Sequence, residues 1–373
     1  MSMKLEEYGL DDNPFFQSPS INIWAVDRRL NGQLFCEEIV SAQLAKLMFL
    51  IKRESKVVYV NSSVSVLGTG KSALMAKAFW KLTDDNANAI WTEATGGLSS
   101  SPTLGRIVDA MVAQEIFDKM LKKIGLVTSE RVKAMLQPTY YRQASPTLIS
   151  ALVKILSMAP EETAKKFANI RRSILISSAV ELFGYLISLM LACGLGRPVI
   201  FIDQFEEFVQ AHRGASQLTV LGNDVNDLLR ALQNKATLVL SLHPEAESVL
   251  MSAAGMYIRT FAPITTETMV MVPPMKPEDG VKLTQTYLSE FRTKGSNKPE
   301  LFPFTREVLE YFCLRTGGNP RQFISALSNA VQEGVDQGYP LIDGVFISNP
   351  SNHARILLGA PNEWGKFKNG KLS

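Results

Sequence analysis

The chain has 373 residues, of which 46% are apolar and 20% charged, so it is long enough for two or three domains of about 100 to 200 residues each. This composition excludes collagen-like and disordered proteins. Lys and Arg number 39 against 36 Asp and Glu, so binding to nucleic acid or to an acidic surface would have to come from local charge clusters. Cys36, Cys193 and Cys313 are far apart, which argues against a disulfide framework or a thiolate zinc site and indicates a reducing compartment.

The N-terminus lacks the charged and then apolar pattern of a signal peptide, so we expect a cytoplasmic protein. Residues 173–196 carry a single charge, Glu181, and are about long enough to cross a membrane. Two interpretations are open: a membrane span, or a buried helix of an α/β core. The second is favoured because a buried strand follows after only Arg197 and Pro198, so a membrane partner is not expected.

Strands and helices alternate through the middle of the chain, which is typical of a parallel sheet flanked by helices. The predicted strands cover residues 56–61, 88–94, 197–203, 236–243 and 268–272. The predicted helices cover residues 71–82, 103–124 and 218–233.

After Pro273 and Pro274 the strand pattern stops, and helices are predicted over residues 277–294, 305–315 and 320–337. The change of period predicts a domain boundary near residue 274. We therefore expect an N-terminal leader and helix over residues 1–45, a sheet domain over 46–274, a helical lid over 275–340 and a tail over 341–373.

A glycine-rich loop follows the first strand and precedes the first helix of the sheet domain. In such a loop consecutive N–H groups point at phosphate oxygens, a Lys reaches the β- and γ-phosphates, and a Ser hydroxyl ligates Mg²⁺. The predicted phosphate-binding residues are Gly68, Thr69, Gly70, Lys71 and Ser72. The loop departs from the usual pattern because Ser65 occupies the position of its first glycine.

The third strand ends in a carboxylate, Asp203, which is predicted to hold Mg²⁺. In a fast ATPase an acid in the next position would polarise the attacking water, but Gln204 is found there. The sequence therefore predicts that Glu206 or Glu207 is the catalytic base, or that hydrolysis is slow.

Between Lys71 and Asp203 the chain is longer than two βαβ units of about 30 residues require, so a helical insertion is predicted around residues 124–172. Residues 101–172 contain twelve Lys or Arg and six Asp or Glu. This local charge could bind the phosphates of double-stranded DNA, or the insertion could be a solvated helical surface that docks a protein. The residues considered for DNA are Lys122, Lys123, Lys165, Lys166, Arg171 and Arg172, with Tyr140 or Tyr141 against sugars or bases.

The last lid helix begins in the sequence TGGNPR. The two glycines end the preceding helix and Pro320 suits a first turn, which places Arg321 at a helix start. There Arg321 could reach a γ-phosphate and report its presence, or it could cap a solvated helix.

The order GTGKS, FIDQFEE, SLH and TGGNPR resembles the AAA+ ATPases of the origin-recognition and ExeA/TnsC-like groups, and the opening YGLDDNPFF is similar to the leader of ExeA-like ATPases. The resemblance implies a P-loop NTPase fold with a helical insertion and a helical lid, ATP and Mg²⁺ as ligands, and a homo-oligomer. It also implies roles for particular residues. These are Lys71 and Ser72 on phosphate and Mg²⁺, Asp203 on Mg²⁺, Ser241 or His243 as the sensor on the fourth strand, Arg259 as the arginine finger and Arg321 as the lid sensor.

Two departures qualify the resemblance. The sequence DQFEE is more similar to the STAND signalling ATPases than to AAA+ motors, and the tail is too short for the winged-helix domain of origin-recognition proteins. We expect an ATP-binding switch that assembles or engages a partner, most readily on DNA. The alternatives are a STAND-like scaffold that acts on proteins alone and a membrane-associated secretion ATPase.

Overall fold

The structure is a computed structural model that divides into two compact units. The first comprises Met1–Leu44, Ser62–Lys77 and Val272–Ser373, and the second Ala45–Asn61 and Ala78–Met271. The structure describes residues 4–15, 21–63, 68–85, 87–93, 102–136, 145–158, 162, 176–205, 209, 214, 228–229, 232, 234–252, 263–358, 361–368 and 371–372.

A parallel sheet forms the centre of the second unit, with the strand order β2-β3-β4-β1-β5. Its strands consist of short, buried runs rich in Val and Ile, as expected where helices cover both faces. The strands are β1 Val57–Ser62, β2 Ala89–Glu93, β3 Val199–Asp203, β4 Thr237–Ser241 and β5 Met269–Val272. Each lies within two residues of its predicted bounds.

The register of the sheet brings polar residues to one edge. Val60 of β1 pairs with Ser241 of β4, and Ile202 of β3 pairs with Leu240 of β4. The carboxyl ends of these parallel strands therefore lie at the same edge of the sheet. Asp203 and Ser241, the last residues of β3 and β4, belong to this edge.

Helix α1 (Ser41–Lys52) precedes β1 and helix α2 (Lys71–Asp84) follows it. Phe79 of α2 contacts two aromatic rings of the sheet edge to face. Its ring centroid lies 5.9 Å from that of Trp91 in β2 and 6.0 Å from that of Phe201 in β3. These aromatic contacts fix the helix on the sheet.

The predicted single helix over residues 103–124 is wrong: the segment forms α3 (Pro102–Ala113) and α4 (Ile116–Ile124). The chain turns at Glu115, whose φ of 55° is left-handed. Because of this turn α4 takes a direction of its own, and it buries Phe117 and Met120 in the hydrophobic core. The apolar periodicity continues through the break, so it gave no sign of the turn.

Helices α5 (Ser129–Leu136) and α6 (Pro146–Leu156) continue the insertion, and both contact α7 (Ile176–Ala192). Helix α7 lies within residues 173–196, which the sequence left open as either a membrane span or a buried core helix. Its residues Phe183, Leu186 and Met190 are buried in the same core as Ile200 of β3, which agrees with a core helix. Within the described ranges, no helix is long and apolar enough to cross a membrane.

Lid helices dominate the first unit: α9 (Pro277–Glu290), α10 (Arg306–Arg315) and α11 (Pro320–Gln337). The N-terminal segment belongs to the same unit. Tyr8 donates a hydrogen bond from its hydroxyl to the carbonyl of Tyr339 at 2.5 Å, and Phe15 stacks on Tyr287 of α9. The parallel sheet, the helical insertion and the lid confirm the predicted P-loop NTPase fold class.

The tail after the lid folds onto α10 through helices α12 (Gly344–Ser348) and α13 (Pro350–Ile356), and through a short hairpin of β6 (Phe367–Lys368) and β7 (Lys371–Leu372). Its anchor is Tyr311 of α10. The Tyr311 hydroxyl lies 2.8 Å from Nε2 of His353 and accepts a hydrogen bond from the Glu363 N–H at 3.1 Å. The Tyr311 ring packs edge to face on Trp364.

We expect the tail to respond to pH through His353. Burial, with a smaller contribution from the positive charge of Arg315, lowers the pKa of His353 below its ordinary value of 6.5. The unfolded chain then binds the proton more readily than the folded chain, so the free energy of unfolding falls as pH decreases through about 6.5, by at most about 1.4 kcal/mol per pH unit. Urea denaturation between pH 7.5 and 5.5 measures this slope. His353→Gln should reduce it, and an equal slope in the variant would contradict the assignment.

Candidate nucleotide site

The phosphate loop joins β1 to α2. Gly68 and Gly70 have φ angles of +85° and +92°, a conformation that glycine adopts without steric cost. Lys71 is the first residue of α2 and is only 6% exposed. Ser65, where the sequence departs from the usual pattern, lies outside the described residues.

The start of lid helix α11 lies directly on this loop. The Arg321 N–H donates a hydrogen bond to the Gly68 carbonyl at 3.3 Å. A Cβ atom at position 68 would lie 2.5 Å from Cβ of Arg321, closer than such atoms approach, and 3.1 Å from its Nε. The structure thus brings two of the predicted site residues together, and the absence of a side chain at Gly68 makes the contact possible.

Local capping holds the start of α11 in this place. Asn319 accepts a hydrogen bond from the Gln322 N–H at 3.2 Å and so caps the helix. Gly318, at a φ of +68°, accepts a hydrogen bond from the Met275 N–H at 2.9 Å. A Cβ atom at Gly318 would lie 2.3 Å from the Met275 carbonyl oxygen. The glycine therefore leaves room for the backbone of Met275, which precedes helix α9.

The N-terminal segment also reaches the phosphate loop, which the sequence did not predict. The Phe35 ring approaches to 3.5 Å the point that a Cβ of Gly70 would occupy. Lys77 of α2 donates a hydrogen bond to the Gln33 carbonyl at 2.6 Å. Residues 33–35 thus contact both the loop and helix α2, and Phe35 places an aromatic ring beside Gly70. No sequence motif marks these residues.

In the second unit, the edge of the sheet presents Asp203 and its neighbours. Asp203 is 2% exposed, and its Oδ1 accepts a hydrogen bond from the Gln204 N–H at 2.9 Å. Gln204 itself has a left-handed φ of 57°. Ser241 Oγ accepts a hydrogen bond from the Phe205 N–H at 3.2 Å, which ties the turn after β3 to the end of β4.

His243, the other sensor candidate, is buried and forms the N-cap of helix α8 (Pro244–Met251). Its Nδ1 accepts a hydrogen bond from the Glu245 N–H at 3.3 Å, so the neutral ring carries its proton on Nε2. Ser241 and His243 therefore lie at the same sheet edge as Asp203, and both make local contacts there.

A second polar pair at this edge was not predicted from the sequence. Asn61 of β1 is completely buried and donates a hydrogen bond from Nδ2 to Oε2 of Glu247 in α8. An Asn near the end of an otherwise apolar strand is a signal that could have identified it. Glu206, Glu207 and Arg259 lie outside the described residues, as do Lys165, Lys166, Arg171, Arg172, Tyr140, Tyr141 and most of the helix predicted over 218–233.

Hard oxygen donors of the kind that Mg²⁺ prefers are present in each unit: the hydroxyl of Ser72 in the first and the carboxylate of Asp203 in the second. Mg²⁺ takes one or two such protein ligands together with substrate phosphates. The described part of the chain contains no cluster of three or more His, Cys, Asp or Glu that would form a metal cage of its own. In the loop, the buried Thr69 hydroxyl makes no hydrogen bond to any described residue.

No protein-family model matches this chain, and no curated protein matches it. Among solved structures, the ORC2 protein of Aeropyrum pernix, in its ADPNP-ADP complexes, is 14% identical with a TM-score of 0.49 and covers 94% of this chain and 72% of its own. A Walker-type ATPase of Pyrococcus abyssi is 13% identical with a TM-score of 0.46, covering 88% and 73%. Cdc6p of Pyrobaculum aerophilum is 12% identical with a TM-score of 0.44, covering 85% and 68%. These likenesses are remote, and the fold assignment rests on the sheet and the loop.

We expect Lys71→Ala to lower ATP affinity at least tenfold, about 1.4 kcal/mol, because the β- and γ-phosphates would then face backbone dipoles without an ammonium group. Isothermal titration calorimetry measures the affinity, and circular dichroism checks that the fold survives. Lys81→Ala, an exposed position on the same helix, is the matched control. Equal ATP affinities in Lys71→Ala and the wild type would contradict the assignment of the phosphate loop.

Proposed function

We propose that the chain is an ATP-binding AAA+ type ATPase that works as a switch in the cytoplasm: its nucleotide state governs assembly or partner engagement, on double-stranded DNA. The observation that carries this proposal is the contact between the Gly68 loop and Arg321 of the lid. A ligand can shift a conformational equilibrium only through different affinities for the two states. A lid cation beside the phosphate loop supplies such a difference, because ATP and ADP differ in the γ-phosphate.

In this proposal the roles at the site follow from residue chemistry. Lys71 neutralises the β- and γ-phosphates, while Ser72 and Asp203 hold Mg²⁺. The metal, when bound, neutralises the charge that develops on the phosphate oxygens. Hydrolysis is slow because Gln204 replaces the acid found after this strand in fast ATPases. Slow turnover suits a switch, since the ATP state then persists.

Arg259 is proposed as a finger that enters the site of a neighbouring copy, with Ser241 or His243 as the sensor. A cation supplied by another subunit makes the nucleotide part of the interface. Assembly of a homo-oligomer would then depend on ATP. A chain that acts alone, as in a STAND-like switch, would lack this dependence.

Sedimentation velocity with a non-hydrolysable ATP analogue tests the finger. The wild type should form larger particles with the analogue than with ADP, and Arg259→Ala should remain monomeric with both. The binding of the analogue to monomeric Arg259→Ala should be close to normal, because the finger serves another subunit's site. A wild-type monomer under every nucleotide condition would overturn the assembly proposal.

DNA is the proposed partner because of the excess of positive charge in residues 101–172. Helix α4 buries one apolar face and exposes Lys119, Lys122 and Lys123 on the other, accompanied by Asp118. Lysines on one exposed helix face can neutralise consecutive phosphates of a duplex. A protein-docking scaffold remains the alternative function, because a solvated helix face commonly carries such charges.

Salt dependence distinguishes the two functions. Phosphate contacts predict that the logarithm of the affinity for duplex DNA falls linearly with the logarithm of salt concentration, with a slope of about −0.9 per phosphate neutralised. Fluorescence anisotropy with ATP present should show a shallower slope and weaker binding for Lys122→Glu with Lys123→Glu. The control is Lys52→Glu with Lys294→Glu, which changes the net charge equally at exposed sites elsewhere. Absence of binding at low salt, or equal binding by all three proteins, would favour the scaffold function.

A further inference from the structure

The N-terminal segment carries an arginine that joins distant parts of the first unit. Arg29 donates from Nη2 to Oδ2 of Asp27 at 2.6 Å and from Nη1 to Oδ2 of Asp12 at 2.7 Å. The same Nη1 donates to the carbonyl oxygen of Asn13 at 2.8 Å. Only 14% of the Arg29 side chain is exposed, and its guanidinium carbon lies 4.7 Å from the ring centroid of Phe291, which follows helix α9. This side chain therefore fastens two parts of the N-terminal segment to the lid.

Only an arginine can make this set of hydrogen bonds. Its planar guanidinium carries five N–H donors in a fixed fork, whereas a lysine ammonium is a compact point charge. The fork grips Asp27 on one side, because Nε of Arg29 also donates to Oδ1 of that carboxylate at 3.0 Å. The other side of the fork serves Asp12 and a backbone carbonyl. One side chain thus holds three acceptors at fixed angles.

Arg29 belongs to a closed loop formed by residues 22–31. The Asn22 N–H donates a hydrogen bond to the Leu30 carbonyl at 2.8 Å. Nδ2 of the buried Asn31 donates to the Ala25 carbonyl at 3.1 Å. These bonds hold the loop together at its base, so the anchorage of Arg29 also fixes where the chain continues after the loop.

From this loop the chain leads directly to the phosphate loop. Gly32 packs on helix α2, since a Cβ atom there would lie 2.9 Å from Cβ of Ala76. The buried Phe35 ring approaches to 3.5 Å the point that a Cβ of Gly70 would occupy, and Cγ of Pro320 approaches the same point to 3.6 Å. Gly70 is thus contacted both by the N-terminal segment and by the first residue of lid helix α11.

These contacts matter because Gly70 has no side chain that could hold its own conformation. Its φ is +92°, and glycine loses more conformational freedom on ordering than any other residue. A ligand that binds only one conformation has an apparent dissociation constant equal to the intrinsic one divided by the fraction of the protein in that conformation. Neighbours that hold Gly70 in place therefore strengthen phosphate binding without touching the phosphate.

We propose that Arg29 is a positioning residue for nucleotide binding: it fixes the loop of residues 22–31 and thereby holds Phe35 against Gly70. This inference rests on the proposed function, because it takes the phosphate loop to bind the nucleotide. The loop holds the β-phosphate, which ATP and ADP share, so loss of Arg29 should weaken both nucleotides by the same factor. Loss of Arg321, whose proposed contact is the γ-phosphate, should weaken ATP more than ADP.

Arg29→Ala and Arg28→Ala form a matched pair. They remove the same charge from adjacent residues, but Arg28 is 49% exposed and its ion pair, with Glu290 at 2.7 Å, lies at the surface. Isothermal titration calorimetry should show ATP and ADP bound about tenfold more weakly by Arg29→Ala, which corresponds to about 1.4 kcal/mol. Arg28→Ala should bind both as the wild type does. Arg29→Lys should recover only part of the loss, because an ammonium group cannot reproduce the fork.

A milder variant covers the case in which Arg29→Ala does not fold. Asp12 is 57% exposed, so Asp12→Asn should leave the fold intact. We expect it to weaken ATP and ADP about threefold, because a neutral acceptor binds a guanidinium about half as strongly as a carboxylate. Circular dichroism identifies a folding failure of Arg29→Ala, and unchanged affinities in Asp12→Asn would then overturn the inference.

Two further measurements test whether Arg29 acts through Phe35. Phe35→Ala should weaken both nucleotides to a similar extent, and Arg29→Ala combined with Phe35→Ala should bind no more weakly than the weaker single variant, whereas independent effects would multiply. In the nucleotide-free protein, hydrogen exchange should be faster at residues 68–72 of Arg29→Ala and unchanged in helix α10 of the same unit. A general loss of stability would accelerate exchange in both places.

Three results would each overturn the positioning role: wild-type affinities in folded Arg29→Ala, an equal loss in Arg28→Ala, and losses that multiply in the double variant. If ATP binding still depends on Lys71 in any of these cases, the proposed function stands without this role. If the wild type binds neither ATP nor ADP, the proposed function fails and the positioning role fails with it.

Discussion

The hydrogen bond between the Arg321 N–H and the Gly68 carbonyl is the contact on which the candidate site depends, because it joins two segments about 250 residues apart in sequence. It requires a loop residue without a side chain and a helix that begins at a defined residue. Gly68 meets the first requirement, while the Asn319 cap and Gly318 meet the second. The conformation of the phosphate loop and the position of the start of α11 therefore depend on each other, and under the proposed function a phosphate bound to the loop would be sensed there.

Most of the fold could be predicted where local signals agree. The strands are short, mainly apolar runs that are largely buried, and helix α11 has the predicted bounds because Pro320 begins it and Gly338, at a φ of +69°, ends it. The break at Glu115 could not be predicted, since neither glycine nor proline marks it and the apolar periodicity continues. The packing of residues 4–15 on the lid could not be predicted either. That segment has little regular structure, and its buried side chains find partners close to 300 residues away.

The site divides in the same way. The places of Lys71, Asp203 and Arg321 in the fold, at a helix start, a strand end and a first helical turn, could be predicted from local sequence signals, while their roles stay predictions. The places of Phe35, Asn61 and Glu247 could not, because each owes its position to a contact between distant segments. A sequence motif records the groups that must touch a phosphate. It does not record the groups that orient them, which can come from any element that packs nearby.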